Sequence, residues 1–240
     1  MPSVHLLGVR IDCLRLVSLL RVVMAAARTR TRLTVMYVNV HSMNLQHDDP
    51  EYGAVLEAAD LVYCDGTGVR LAARFTGNRL PARMTGADWI WDLCEVAARD
   101  RVSLFFLGGA PGVADDAARR LRARYPSLRI LGTADGYGLD GLTIDRLNTL
   151  RPDIVLVGMG SPTQEKWIAR HRSELDVPVL WAVGALFDFV AGRIRRGPRW
   201  MTEHGLEWIC RLAVEPRKLW RRYLIGNPRF MLRVLLESRR

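Results

Sequence analysis

Residues 104–125, "LFFLGGAPGVADDAARRLRARY", contain a short apolar run, a glycine-rich turn and a helical pattern in direct succession. The apolar run has the length of a buried strand, and the turn Gly108–Gly112 separates it from a segment whose apolar residues recur at helical spacing. A buried strand followed by a helix is the repeating unit of a parallel sheet. The stretch therefore predicts an α/β fold.

The same alternation extends on both sides of this stretch. Helical patterns or loops separate six apolar runs, which we predict as strands: Leu33–Val38, Ala59–Cys64, Ser103–Leu107, Arg129–Gly132, Ile154–Val157 and Val179–Val183. Two helix starts have the form of a capping box, Thr85–Asp88 and Ser161–Gln164, and the second would place a proline at the first helical position. We expect a Rossmann-like, mostly parallel sheet that is flanked by helices.

Composition favours one main globular domain in a reducing compartment. The 240 residues are 49% hydrophobic, which suffices for a substantial core. The four cysteines form no C-x-x-C pair, so we interpret them as ordinary thiols. Arg10, Asp12, Arg15 and Arg21 interrupt the apolar N-terminal stretches, so we expect neither a signal peptide nor a spanning helix. These features predict a cytoplasmic protein.

The net charge of +10 is concentrated at the C-terminus, where residues 193–240 hold thirteen Lys and Arg against four Glu. We therefore divide the chain into a Rossmann-like domain, residues 1–192, and a basic helical C-terminal appendage, residues 193–240. The appendage interleaves aromatic and aliphatic residues in "LEWICRL" and "LWRRYLI", a pattern typical of amphipathic helices. We predict that it attaches the protein peripherally to the anionic inner face of the cell membrane. Alternatively, its helices pack on the domain, or on a second copy in a homo-oligomer.

Two glycine-rich turns follow predicted strands and are suited to anions. In Gly108–Gly112 and in "VGMGSPTQ", with Gly158 and Gly160, backbone amides at a helix start could face a phosphate without an intervening side chain. Either turn could instead be merely tight. Neither is a P-loop, and the missing G-x-G-x-x-G disfavours a nicotinamide-dependent oxidoreductase.

The segment "VYCDGTGVRL", residues 62–71, ends an apolar run on the carboxylate of Asp65. Asp65 could cap the helix that follows, because Asp accepts hydrogen bonds from free amides at helix starts. It could also act on a ligand, because open α/β sheets bind ligands at the carboxyl ends of their strands. The residues alone leave both interpretations open.

Several kinds of site are missing from the sequence. No D-x-D, H-E-x-x-H or C-x-x-C is present, so we expect no metal site and no cofactor. No G-x-S-x-G elbow marks a hydrolase nucleophile. Nucleic-acid binding would account for the basic appendage, but its aromatic and aliphatic residues favour a membrane, so we expect no nucleic-acid partner.

Four segments together resemble the successive signature blocks of the WecG/TagA/CpsF family of bacterial glycosyltransferases. They occur in the family order, within residues 33–225, and read "ADLVYCDGTGVRLAARFTGNRLPARMTGAD", "FFLGGAPGVADDAARRL", "PDIVLVGMGSPTQEKWI" and "GALFDFVAGRIRRGPRWMTEHGLEWICRLAVEPRKLWRRY". The resemblance implies a Rossmann-like fold. It also implies transfer of a sugar from a UDP-sugar to a polyprenyl-pyrophosphate-linked saccharide in cell-surface polysaccharide synthesis, with inversion and without a metal ion.

The resemblance also implies catalytic residues. Asp65 matches the acidic residue of the family's D-G-x-G-V block, the proposed base that takes the proton of the acceptor hydroxyl. Without a metal ion, the departing diphosphate needs cationic or amide donors, which makes Arg83 and the amides after Gly108 and Gly160 candidates. Alternatively, Arg83 is a solvated surface residue.

The substrate-binding residues that we predict with the help of the resemblance are Asn39, Gly66, Gly108, Gly109, Gly136, Tyr137, Gly160, Gln164, Asp188, Arg211, Arg217 and Arg221. The three arginines would hold the lipid pyrophosphate over the catalytic opening. Asn39 could instead be a turn residue and Gln164 a helix cap. His41 and Asn44, in "NVHSMN", resemble exopolysaccharide-type members, so the donor could be UDP-N-acetylmannosamine, its uronic acid or UDP-glucose.

Overall fold

The chain begins with an antiparallel hairpin of two short strands, β1 (Ser3–Leu6) and β2 (Val9–Asp12), in the computed structural model, which describes residues 1–81, 83–136 and 141–238. Asp12 ends the hairpin, and its buried carboxylate accepts a hydrogen bond of 2.8 Å from the backbone amide of Val62. The hairpin was not predicted, because Arg10 and Asp12 make this segment look exposed in the sequence.

Six further strands form one parallel sheet with the order β4-β3-β8-β7-β5-β6. They are β3 (Leu33–Val38), β4 (Leu61–Cys64), β5 (Ser103–Gly108), β6 (Arg129–Ala134), β7 (Ile154–Gly158) and β8 (Val179–Ala182). All six predicted strands are confirmed, with ends that differ from the predictions by at most two residues. The α/β fold with a parallel sheet is therefore confirmed.

Helices cover both faces of the sheet because alternate strand residues point to opposite sides. In β3, Val35 and Tyr37 enter one core, whereas Met36 and Val38 enter the other. The first core also contains residues of α1 (Leu16–Thr29), α5 (Gly86–Asp100), α6 (Val113–Arg124) and α9 (Leu186–Val190). The second core contains residues of α2 (Val40–Asp48), α3 (Pro50–Ala58), α4 (Thr67–Phe75), α7 (Gly141–Leu150) and α8 (Thr163–His171).

The two predicted capping boxes are wrong, although both helices exist. Thr85 precedes α5 but makes no side-chain cap bond, because its hydroxyl bonds the Asp65 carboxylate instead. Helix α8 begins at Thr163, and Pro162 occupies the cap position. The Ser161 hydroxyl donates a bond of 2.7 Å to the buried carboxylate of Glu165. In both places the hydroxyl donates to a carboxylate and makes no bond with the free amides of the helix start.

The appendage is helical and returns to the sheet domain. It comprises α10 (Arg199–Glu203), α11 (Glu207–Val214), α12 (Pro216–Trp220), a π-helical segment (Arg221–Ile225) and α13 (Gly226–Glu237). Phe230 and Val234 of α13 are buried in the second core. Arg229 and Arg233 pair with Asp48 at the end of α2, at 2.8 and 2.7 Å. Across the described residues, no helix combines the length and apolar character needed to cross a bilayer.

Candidate active site

The carboxyl ends of the parallel strands meet at one edge of the sheet and bring most of the predicted site residues together. Asn39 follows β3 and Asp65 follows the neighbouring strand β4. The two chain segments touch, because a Cβ atom at Gly66 would lie 3.4 Å from Cβ of Asn39. The glycines of the other loops follow β5, β6 and β7. Ligand sites of open α/β sheets lie at this edge.

Asp65 does not cap the helix that follows it. The N-cap residue of α4 is Gly66, which has no side chain to bond the free amides there. The backbone amide of Asp65 instead donates to the carbonyl of Val38 at 2.8 Å, which extends the pairing of β4 with β3 beyond the strand end. The position of its partly buried carboxylate is therefore set by the pairing of the two strands and not by a contact with the helix.

Opposed effects set the pKa of Asp65. Burial raises this pKa most, and the negative charge of Glu207 raises it further. A hydrogen bond from Thr85 and the positive charges of Arg83 and Arg222 lower it, and the resulting pKa is about 7. A carboxyl group with this pKa can accept a proton near neutral pH.

Arg83 belongs to a cluster of four charged side chains beside Asp65. Its Nη1 atom lies 3.2 Å from Oε2 of Glu207, and its Nη2 atom lies 3.9 Å from Oδ2 of Asp88. Arg196 also pairs with Asp88, and its Nε atom lies 3.8 Å from Oε1 of Glu207. The Arg83 side chain is only 18% exposed, so it is not a solvated surface arginine. Two of the four residues, Arg196 and Glu207, come from the appendage, which therefore forms part of the site.

Arg222 of the π-helical segment is the second cation whose charge acts on Asp65. Burial and, to a smaller extent, the charge of Arg222 lower the pKa of His41 to about 4, so that His41 is neutral at physiological pH. The Nε atom of Arg222 is buried, and it has no hydrogen-bond partner in the part of the chain that the structure describes. Arg222 thus brings a positive charge to the site, and among the described residues it forms no salt bridge.

Arg222 and Glu207 were not predicted from the sequence. The predicted residue was the neighbouring Arg221, which is exposed and places its guanidinium 5.2 Å from the ring centre of Trp220. A signal for Arg222 was available, because it follows the apolar Leu219 by three residues and so shares its helix face. Leu219 is buried in the structure. The signal for Glu207 was that it is one of only four acidic residues in a strongly basic segment.

Gln164 is fully buried behind the edge of the sheet, and both atoms of its side-chain amide make hydrogen bonds to other groups of the protein. Nε2 donates to the Tyr37 hydroxyl at 3.3 Å and to Glu165 at 2.8 Å. Oε1 accepts a bond of 2.9 Å from the amide of Gly184. Gln164 therefore joins α8 to β3 and to the loop after β8. Burial raises the pKa of the Glu165 carboxyl beside it.

Asn39 and Asn44 both make structural contacts. Asn39 caps α2, and its Oδ1 accepts from the amides of His41 and Ser42 at 3.0 and 3.1 Å. The Ser42 hydroxyl completes the capping box with the Asn39 amide. Asn44 donates to the carbonyl of Gly226 at 2.7 Å and so links α2 to the appendage.

The glycine loops bring three strand ends into close approach. A Cβ atom at Gly108 would lie 2.2 Å from the carbonyl oxygen of Gly158, so no other residue fits there. The amide of Gly109 donates to that carbonyl at 2.9 Å, and the amide of Gly136 donates to Gly109 at 3.0 Å. Gly160 has a positive φ of 80° and open space around it. The amide of Gly109 is thus occupied by protein, while the turn up to Gly112 is exposed.

The remaining predicted residues are more scattered. Asp188 lies partly exposed on α9, and the Arg211 guanidinium lies 5.5 Å from the ring centre of its neighbour Phe189. Arg217 is exposed on α12. Tyr137 lies outside the described residues. Among the described residues, no three His, Cys, Asp or Glu side chains form a group that could hold a metal ion.

The arrangement combines a proton acceptor with anion-binding groups. Asp65 has a pKa close to neutrality and lies in the fields of Arg83 and Arg222. A hydroxyl group held at Asp65 could lose its proton there, and a phosphate held at the arginines would have its charge neutralised. Such a site fits an attack by a hydroxyl group with departure of a phosphorylated leaving group.

Comparisons with known proteins agree with this chemistry. Residues 4–240 match the sequence profile of the glycosyl transferase WecG/TagA/CpsF family. A relative from Bacillus subtilis (strain 168) is 33% identical over 192 residues, covering 80% of this chain and 74% of the relative. A relative from Staphylococcus aureus (strain NCTC 8325 / PS 47) is 26% identical and covers 99% of this chain and 94% of its own length. Both are named N-acetylglucosaminyldiphosphoundecaprenol N-acetyl-beta-D-mannosaminyltransferase. Since the family profile matches nearly the whole chain, this protein belongs to the WecG/TagA/CpsF family of glycosyl transferases.

Proposed function

We propose that this glycosyltransferase moves a sugar from a UDP-sugar to a hydroxyl group of a polyprenyl-pyrophosphate-linked saccharide, with inversion and without a metal ion. The observation that carries the proposal is the Asp65 carboxyl at the carboxyl edge of the sheet, with a pKa of about 7 that the charges of Arg83 and Arg222 help to set. The names of the two relatives support an undecaprenyl-diphosphate-linked acceptor.

Asp65 acts as the general base in this proposal. The acceptor oxygen attacks the anomeric carbon, the bond to the diphosphate breaks, and the hydroxyl proton passes to the Asp65 carboxylate. An alcohol is a weak nucleophile until a positioned base takes its proton as the new bond forms. One carboxylate is sufficient for a single displacement, because no glycosyl-enzyme intermediate forms.

Arg83 stabilises the charge that develops on the departing UDP. Its guanidinium is held near Asp65 by Glu207 at 3.2 Å, so it is oriented before the substrate arrives. Preorganised donors of this kind contribute a large part of catalysis, because they need no reorientation during the reaction. The exposed turn after Gly109 offers the amides of Ala110 and Gly112 for the phosphates of the donor. Asn39, Gly66, Asp188, Arg211, Arg217 and Arg221 remain proposed contacts to the two substrates.

The donor sugar is the part of the proposal with the most alternatives. The names of the relatives support N-acetylmannosamine, whereas the "NVHSMN" segment with the neutral His41 favours an exopolysaccharide-type donor such as UDP-glucose. We propose N-acetylmannosamine first, because it appears in the names of both relatives. The uronic acid of N-acetylmannosamine is the third candidate.

The appendage is proposed to hold the enzyme at an anionic membrane, where a polyprenyl-linked acceptor would be found. Leu224, Leu232 and Leu236 of the appendage are each more than half exposed. Basic residues near an anionic bilayer contribute about 1 kcal/mol each. Exposed apolar side chains among basic ones suit such an interface.

A product assay tests the proposed function. The full-length protein is incubated with EDTA, one of the three UDP-sugars and a short-chain prenyl-pyrophosphate saccharide, and the product is identified by mass and by the anomeric configuration of its new bond. We expect UDP release that requires both substrates, and a bond with inverted configuration. Retention of configuration, or activity that appears only with added divalent metal, would show that the single displacement without metal is wrong.

A further inference from the structure

A basic cleft lies on α4, outside the active site. Its volume is about 350 Å³, and it is lined by Thr67, Arg70, Leu71, Arg74, Asn78, Arg79 and Leu80. We name it the α4 cleft. None of these residues takes part in the catalysis proposed above, and neither the family profile nor the relatives' names assign them a role.

Within the described part of the chain, the three arginines of the α4 cleft have no anionic partner. Over the described residues, Arg70, Arg74 and Arg79 form no salt bridge, although many other arginines of the chain do. The Nε atom of Arg70 is buried and has no hydrogen-bond partner in the same ranges. Three unpaired guanidinium groups around one cleft repel each other unless an anion binds between them. Arginine is also the side chain best suited to phosphate groups.

Exposed apolar side chains accompany these charges. Leu71 lines the α4 cleft and is 59% exposed, and Phe75, one turn further along α4, is 56% exposed. Thr67, Leu71 and Phe75 are spaced by four residues and therefore share one face of the helix. A free phosphate would need the arginines alone. Arginines combined with exposed leucine and phenylalanine are typical of a surface that contacts lipid headgroups and the adjoining acyl chains.

The α4 cleft is continuous with the appendage. A Cβ atom at Gly205, in the turn between α10 and α11, would lie 2.6 Å from the side chain of Thr67 at the start of α4. Trp200 of α10, close to this turn in sequence, is 59% exposed. The exposed apolar face of α4 thus begins where the appendage touches it.

From these observations we infer that the α4 cleft binds the phosphate of an anionic phospholipid headgroup, with Leu71 and Phe75 entering the interface beside it. The sheet domain then contacts the membrane directly, in addition to the contact proposed for the appendage. Two contacts on different elements orient the carboxyl edge of the sheet, and with it Asp65, relative to the bilayer.

The test uses the full-length protein and sedimentation with vesicles of equal parts phosphatidylglycerol and phosphatidylcholine. In the variant Arg74→Gln/Arg79→Gln both positions are exposed, so the fold is kept. We expect its partition coefficient to fall roughly 10- to 30-fold, as the loss of two interfacial charges requires. The control Arg28→Gln/Arg32→Gln removes the same charge from two other exposed positions, one on α1, which packs on the other face of the sheet, and one directly before β3. It should change binding less than about 2-fold, because charges far from the bilayer are screened within about 8 Å.

A second variant, Leu71→Ser/Phe75→Ser, leaves the net charge unchanged. We expect it to weaken vesicle binding as well, while the control Val17→Ser/Leu142→Ser, at positions 69% and 74% exposed, does not. The inference is overturned if either α4 variant binds vesicles as the wild type does. It is also overturned if calorimetry shows that Arg74→Gln/Arg79→Gln loses only binding of inorganic phosphate, or if light scattering shows that Leu71→Ser/Phe75→Ser dissociates an oligomer of this chain. Vesicle binding is measured without substrates, so failure here is distinct from failure of the proposed glycosyl transfer.

Discussion

At the scale of single residues, the candidate site depends on the carboxylate of Asp65, whose surroundings keep its pKa near 7. Burial and Glu207 raise the pKa of Asp65, whereas Thr85, Arg83 and Arg222 lower it. The balance is a pKa of about 7, above the ordinary value of 3.8. A general base works best when its pKa is near the working pH, because it is then both deprotonated and sufficiently basic. Glu207 acts twice, since it also holds Arg83 in place.

We predict that Glu207→Gln lowers the pKa of Asp65, because a negative charge that opposes its ionisation is removed. A base must be deprotonated, so wild-type kcat/KM should rise with pH through about 7. In the variant this rise should move to lower pH. The measurement is kcat/KM for UDP release against pH, with the exposed Glu57→Gln as control. A rise that stays in place or moves to higher pH would exclude this role of Glu207.

We also predict that Asp65→Asn makes the protein more stable above pH 7. The pKa of Asp65 is raised on folding from 3.8 to about 7, so the folded state prefers the protonated form. The stability that this preference provides is complete at low pH and is lost as the pH rises through the folded pKa. Asparagine remains neutral and avoids the loss. Thermal melting should show a higher Tm for the variant at alkaline pH, and the difference should narrow as the pH falls from about 7 towards 4.

At the scale of elements, the parts of the fold that follow a repeating pattern of apolar and polar residues could be predicted from the sequence. Apolar runs bounded by helices predicted all six parallel strands, and the rule that ligands bind at the carboxyl ends of strands placed Asp65 and the loop glycines at one edge. Tertiary contacts decided the rest. The hairpin was missed because Asp12 looks exposed until its bond to Val62 is seen. The predicted capping boxes are wrong because the hydroxyls of Thr85 and Ser161 bond the carboxylates of Asp65 and Glu165 and not the amides of a helix start.

Helix α13 provides a test at this scale, because it belongs to the core although it lies in the appendage. Phe230 is 1% exposed and Met231 is 42% exposed on the same helix. We predict that Phe230→Ala lowers the free energy of unfolding by about 3–5 kcal/mol, as the loss of a buried aromatic ring does. Met231→Ala should change it by less than about 0.5 kcal/mol. Urea denaturation measures both, and equal effects would show that α13 does not pack as described.

At the scale of the whole molecule, charge and exposed apolar surface are distributed unevenly. Residues 193–240 hold nearly all of the net charge of +10. Among the described residues, ten of the fifteen exposed large apolar side chains lie in the appendage, and helix α4 adds Leu71 and Phe75. One part of the surface therefore suits a bilayer, while helix α13 fixes the appendage to the sheet domain.

We predict that the appendage binds anionic vesicles through both charge and apolar contact. Leu232→Ser/Leu236→Ser changes two positions of α13 that are 57% and 56% exposed, so folding should be unaffected while vesicle binding weakens. High salt should release the wild-type protein, because screening acts over about 8 Å at physiological ionic strength. Sedimentation with phosphatidylglycerol vesicles measures both effects. Binding that is indifferent to salt and to the variant would exclude the appendage as the membrane contact.

The most direct test of the central claim is the turnover of Asp65→Asn. Asparagine is nearly the same size but cannot accept the proton, so acceptor-dependent UDP release should fall about 100- to 10,000-fold while thermal melting shows a folded protein. Asp92→Asn, which neutralises an exposed carboxylate on α5, should retain wild-type turnover. A folded Asp65→Asn protein that turns over at nearly the wild-type rate would contradict the assignment of Asp65 as the catalytic base.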